Sequence, residues 1–403
     1  MNNTIKLAVA SALLAAASSA SAAGGIVAGD WTLDIGGIVN AYYTSTKVSG
    51  TATGLALGNP AQKETNITTG LLPNYLSVSG KTRQNDLDVA FTISIQPGAS
   101  SSNSGIQGGT GSGDTPRSFQ ENRQAFLTFG DASWGSIKLG KDLGIYASDA
   151  ILNDMTLLGV GSGAVLDGNT TTLGHIGTGY IYADWKSQVA YTSPNFNGFS
   201  FTAGATQAWN VTDTWALGGD TSTLRGGNQP AFEGKASYAW TGDFAGKVWV
   251  SGISQKVEGL TTVGNTSATS SAVDIGANVN VAGLSLTGYY NDGKGMGTTT
   301  QFRSGYDANG NKRDSKDWYL QATYVLPTAT KVGVSYGESK LNGTAGEALQ
   351  QFKNEMWTVG VYHPLTKHLN LVAEYNEAKG TVDAAADTSG KAKTVALGAI
   401  LFF

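Results

Sequence analysis

The chain has 403 residues, 40% hydrophobic and only 14% charged, with 55 glycines, no cysteine and a formal net charge of −4. Without cysteine there are no disulfides, thiolate metal sites or cysteine nucleophiles, and the mildly acidic balance argues against a nucleic-acid partner. Soluble domains carry about 25% charged residues, so a chain this poor in charge, yet lacking any run of 18 apolar residues, needs a place other than water for part of its surface.

Taken in order, the N-terminus comes first. Lys6 precedes an apolar stretch from Leu7 to Ala17 and then Ala20, Ser21 and Ala22. A basic start, a short apolar core and a small-residue site read as a secretory signal over residues 1–22. Residues 23–403 are then expected to form one domain. The apolar core is too short for a spanning helix, which needs about 20 residues.

The clearest strand covers Asp86 to Gln96. Leu87, Val89, Phe91, Ile93 and Ile95 share one face, and Asp86, Asp88, Thr92, Ser94 and Gln96 share the other. Such alternation suits a tilted strand crossing a bilayer, which takes about 9–11 residues. Sixteen segments are predicted to be strands. They lie near 31–43, 73–80, 86–96, 122–130, 134–141, 183–193, 198–206 and 231–241, then 244–255, 271–280, 283–291, 316–326, 330–338, 354–363, 368–377 and 392–403.

Between them, short connections such as Asp131–Ser133 and Pro194–Asn197 alternate with long polar ones such as Thr44–Leu72, Pro97–Glu121 and Asn291–Ser315. Alternating short and long connections are expected of an all-β, up-and-down antiparallel barrel in an outer membrane, with turns on the periplasmic side and loops outside. In lipid every backbone polar group must be paired internally, so the sheet has to close. The apolar face would then meet lipid and the polar face line water, and a soluble sandwich of this size would expose too much apolar surface. Trp31, Tyr42, Tyr43, Trp240, Phe244, Tyr290, Trp318, Tyr362, Phe402 and Phe403 lie near strand ends, where interfacial girdles are expected. Asp86, Asp88, Lys138 and Glu374 are expected to line the lumen.

Three stretches carry a resemblance to a known family. They are NRQAFLTFGDASWGSIKLGKDLGIYASD (Asn122–Asp149), VAYTSPNFNGFSFTAG (Val189–Gly204) and the terminal TVALGAILFF ending in Phe403. With the signal sequence, they resemble the trimeric general porins of Gram-negative outer membranes. The resemblance spans essentially the whole mature chain. It implies a sixteen-stranded barrel, a homotrimer, and a third loop, about residues 142–175, folded inward to narrow the pore. It also implies contact with outer-membrane lipid and lipopolysaccharide, and a C-terminal Phe403 read by the barrel-assembly machinery.

By the same resemblance Arg123 and Lys141 are wall cations of the constriction, and Asp149 and Asp154 its loop carboxylates. Opposed charges across a narrow aqueous lumen filter solutes by charge. Tyr75 and Thr192 stand where many members carry arginine, Leu158 stands near an expected second carboxylate, and the Pro-Glu-Phe-Gly-Gly signature is missing.

Catalysis is not expected. The three histidines, His175, His363 and His368, have no metal-ligand spacing, and no Gly-x-Ser-x-Gly setting occurs. No cofactor is implied. Asp307, Asn309 and Asn311 begin like a calcium loop, but Lys312 replaces the required glycine. The leading expectation is a passive channel for ions and small hydrophilic solutes. A substrate-selective channel favoured by Tyr75, Tyr180, Tyr182 and Trp185, and a surface adhesin or structural barrel with a closed pore, are the alternatives.

Overall fold

A computed structural model describes residues 25–51, 63–99, 120–163, 171–211, 229–260, 267–384 and 388–403. The expected signal segment, 1–22, lies outside them. Among the described residues, eighteen antiparallel strands form one sheet. The first five are β1 (Ile26–Ala28), β2 (Trp31–Gly50), β3 (Lys63–Thr68), β4 (Tyr75–Gln84) and β5 (Leu87–Pro97). Next come β6 (Gln120–Asp131), β7 (Gly135–Leu143), β8 (Trp185–Thr192), β9 (Phe199–Thr206) and β10 (Ala231–Trp240). They are followed by β11 (Phe244–Glu258), β12 (Ser267–Val281), β13 (Leu284–Lys294) and β14 (Asp314–Val325). The last four are β15 (Lys331–Asn342), β16 (Gln351–Pro364), β17 (Leu369–Asp383) and β18 (Thr388–Phe402).

Two short strands share staves with longer ones, which leaves sixteen staves. β3 and β4 both pair with the same edge of β2, at Tyr42–Lys47 and Thr32–Ile38. β1 and β18 share its other edge, with β18 ending opposite Ile38 and β1 opposite Trp31–Leu33. The β18–β2 ladder closes the sheet and leaves no edge for lipid to meet unpaired. Gly37 and Phe403 exchange backbone hydrogen bonds at 2.9 and 3.1 Å, so the last residue helps to seal the seam.

Each face follows from the two-residue period of a strand. On β12, Val273 and Ile275 are exposed, while Ala272 and Asp274 between them are buried. The periplasmic turns are tight. Asn85 and Asp86 both take positive φ, 48° and 63°, as a two-residue hairpin of the primed type requires. Asp86 therefore sits in the turn and not on the strand.

The girdle expectation divides along the same period. Tyr43, Tyr290, Phe244 and Phe403 are exposed on the outer face, but Tyr42, Tyr362 and Phe402 are buried inside the barrel. Tyr42 and Tyr43 are consecutive, so both cannot meet lipid. On the outer face Trp318 packs on Tyr336 and Trp357 on Tyr375, with ring centroids 5.4 and 5.0 Å apart. A ladder of ion pairs lies beyond them toward the external rim, including Lys353–Glu355 and Lys391–Glu377.

Candidate functional site

β7 ends at Leu143 and β8 begins at Trp185, and the described residues of the intervening loop, 144–163 and 171–184, lie inside the barrel. Two buried carboxylates from the wall hold its backbone. Glu233 on β10 accepts the N–H groups of Ile145 and Tyr146 at 2.8 and 2.9 Å. Glu374 on β17 accepts those of Val160 and Gly161, both at 2.8 Å. Each satisfies two buried donors that no regular structure would pair, a role suited to a charged acceptor.

Between these points Gln321 on β14 accepts from Met155 N at 2.7 Å and donates to Asn153 O at 2.8 Å. The hydroxyl of Tyr319 donates to Ala150 O, and that of Tyr42 to Leu158 O. The loop thus runs along the inner wall from β10 to β2. Its apolar side chains, among them Ile151, Leu157 and Val160, pack on Tyr319, Tyr362 and Val372 of the wall.

The loop carboxylates differ in their partners. Asp149 lies in the first turn of α1 (Ser148–Leu152) and meets Lys235 Nζ of β10 at 2.9 Å, and Lys247 of β11 as well. Burial alone would raise its pKa; the two ammonium groups instead hold its carboxyl below the usual carboxylate range. Asp154 faces no cation at ion-pair distance among the described residues. It caps the short 3-10 helix Met155–Leu158 through Thr156 N, and accepts from His175 N at 3.2 Å and Tyr180 OH at 2.7 Å. Its charge is spent on holding the loop's two limbs together.

Arg123 reaches the interior through a backbone irregularity. Leu127 and Phe129 point outward, and strict alternation would send Arg123 the same way. The β5–β6 register shifts between Ser94 and Gln96, so that Asn122 and Arg123 both stand opposite Ile95. That bulge turns Arg123 inward. It pairs with Glu121 at 2.6 Å, donates to Thr171 Oγ1 at 3.2 Å and lies 5.8 Å from the Trp185 ring centre.

Lys141 has no such bulge. It shares the outward row of Leu139, and its ammonium donates to Asn122 O at 2.8 Å. The structure therefore does not bring it to the loop carboxylates. Lys138 faces the lumen, paired with Asp142 and 4.8 Å from the Phe126 ring centre. Asp88 lies at the periplasmic mouth, 2.9 Å from Arg83.

A family model of Gram-negative porins matches residues 8–383. The chain belongs to the Gram-negative porin family. It forms an outer-membrane channel for the passive diffusion of solutes.

Among solved structures, this porin is similar to the outer membrane channel DcaP of Acinetobacter baumannii, at 15% identity over 94% of this chain and 100% of that one, with a TM-score of 0.65. It is similar to an anion-selective porin from Comamonas acidovorans at 17% identity over 93% and 100%, with a TM-score of 0.59. The trimer form of OmpT from Vibrio cholerae aligns at 14% identity over 93% and 99%, with a TM-score of 0.56. No curated protein sequence matches significantly.

Lys235, Lys247 and Glu233 of the porin carry no clear mark in the sequence. All three fall on inward rows, yet Gly234, Ala236 and Gly246 around them blur the alternation that marks a lumen-facing position. Asp307 holds no cation-like cage. Its carboxylate accepts from Asn309 N, Asn311 N, Asn311 Nδ2 and Thr344 Oγ1 at 2.5–2.9 Å, which makes it a turn-closing group.

Proposed function

We propose that the porin passes small anions more readily than cations of the same size. One observation carries this reading. Lys138, Lys235 and Lys247 keep 29%, 22% and 30% of their side chains open to the lumen, whereas their partners Asp142 and Asp149 keep 12% and 3%. Water in the channel therefore meets ammonium groups, with carboxylates shielded behind them. Two lysines share the single Asp149, so among these five groups one positive charge is in excess. In a narrow lumen an excess charge is less screened than on an open surface and weights permeation toward its counter-ion. The similarity to an anion-selective porin adds support.

Reversal potential under a KCl gradient tests the proposal. The wild-type channel should report chloride preference, and a Lys235→Gln, Lys247→Gln double variant should move the potential toward the cation side. Cation preference in the wild type would overturn it.

The same reading takes the assembly to be a homotrimer, as in the OmpT trimer form, checked by migration of unheated samples. Its outer face would contact membrane lipid and lipopolysaccharide, and Phe403 would serve the barrel-assembly machinery. Solutes pass without chemical change. Of the four aromatics that would favour a substrate-selective channel, Tyr75 and Tyr180 are buried between loop and wall, whereas Tyr182 and Trp185 are only partly buried.

A further inference from the structure

The connection between β13 and β14, residues 295–313, is expected from its polarity to extend outside the barrel, but it folds in. Met296, Phe302 and Tyr306 are buried against Ile253, Val257 and Ala272, which face inward from β11 and β12. Gln301 reaches furthest. Its side-chain amide donates to Ala183 O at 3.0 Å and Tyr182 O at 3.3 Å, and its Oε1 accepts from Lys186 Nζ at 3.0 Å. Lys186 belongs to β8, five strands round the wall from β13. A connection between neighbouring strands can touch a strand that distant only by crossing the lumen as a chord.

The chord is fastened along its length. Tyr182 N donates to Thr299 O at 2.9 Å, which joins it to the returning limb of the 144–184 loop. Lys186 is in turn paired with Glu233 at 2.6 Å, with both side chains fully buried. At the outer end Arg313 donates to Glu347 Oε1 at 2.5 Å and to Ser304 O at 2.9 Å. Behind the chord, Tyr146, Val211 and Phe302 belong to one apolar core. Among the described residues, this core occupies the inner side of the wall from β11 to β12 beneath the chord.

We propose that the 295–313 connection is a second constriction element, which together with the 144–184 loop sets the largest solute the porin admits. The inference rests on the channel function and not on the anion preference. Two features separate it from a merely structural brace: it spans the lumen, and its tip meets the first loop at backbone carbonyls that a solute would otherwise pass.

The test replaces residues 297–312 with a short Gly-Ser linker and confirms a folded barrel by heat-modifiable migration. Single-channel conductance and liposome swelling with sugars of rising size are then read. Conductance should rise by about a factor of two or more, and larger sugars should enter, with the sign of the reversal potential kept. Should the shortened chain not fold, Gln301→Ala keeps the loop length and removes only the tip contacts. That variant should show larger and noisier openings than wild type. A folded variant of either kind with wild-type conductance and sugar cut-off would overturn the inference. A silent wild-type channel would instead sink the channel reading itself.

Discussion

Glu374 on β17 accepts the backbone N–H of Val160 at 2.8 Å, although 214 residues separate them in the chain. The same oxygen takes Gly161 N, while Tyr362 OH donates to the other at 2.7 Å. A carboxylate buried in this way fixes where the loop can lie, because one oxygen accepts from two adjacent backbone donors of the loop.

Replacement of Glu374 by alanine should therefore free the middle of the loop. Each orphaned buried donor costs about 1–3 kcal/mol, enough to populate detached states while the sixteen-stave ladder stays intact. Planar-bilayer recordings should show larger, flickering openings, and Glu374→Gln, which keeps an acceptor, should show a milder form. Quiet wild-type openings from the alanine variant would remove Glu374 from this role.

Asp149 is placed to test the charge balance from the other side. Asp149→Asn leaves Lys235 and Lys247 without their shared counter-charge. The reversal potential should then move further toward anions. The carboxyl is held below the usual range, so the interaction contributes at every pH above the unfolded value, about 3.9, and is lost only as pH falls through the lower folded value. Wild-type selectivity should accordingly stay constant from pH 8 to about 5 as far as this group governs it.

Arg123 makes the opposite prediction. Its partner Glu121 is the more exposed of the two, so Arg123→Gln uncovers a carboxylate near the external mouth. Cation permeability should rise, and the pull on Thr171 should be lost. An unchanged reversal potential would show that this pair lies off the permeation path.

How far these groups were legible in the sequence depended on period. The run from Leu87 to Ile95 alternates without a break, and the strand appears where expected. Sixteen staves follow the same logic, whereas the inward loop, expected over about residues 142–175, rests on the family resemblance and not on period. What alternation cannot show is a change of its own phase. Arg123 enters the lumen through a bulge that leaves no mark in hydrophobic pattern, and Lys141, without one, stays on the outer row. Tyr42 and Tyr43 look alike in a list of strand-end aromatics, yet one faces the core and the other lipid. Glu374 was legible as inward, but its grip on Val160 and Gly161 depends on a contact no local pattern encodes. The chord formed by residues 295–313 is polar and aperiodic, like a loop in water, yet it is held inside by backbone hydrogen bonds and by the contacts of Gln301 and Arg313.

His175 offers a pH-dependent test of the loop's packing. It is fully buried, its Nε2 is 3.2 Å from Thr358 Oγ1, and its ring stacks on Tyr319 at 6.4 Å between centroids. Burial lowers its pKa, and the nearby Asp154 carboxylate only partly offsets this. The neutral ring is thus the form that fits. A depressed folded value means that its contribution is complete above about pH 6.5 and declines as pH falls toward the folded value, by at most about 1.4 kcal/mol per pH unit. Below that point the imidazolium needs water or a closer carboxylate, and either requires the loop to shift between Asp154, Tyr319 and Thr358. Single-channel records at pH 5 should therefore show more frequent conductance changes than at pH 7.5. His175→Phe, which keeps a ring in the same space without a titrating nitrogen, should flatten that difference. If wild type and variant respond alike to acid, the pH sensitivity of the loop resides in another group.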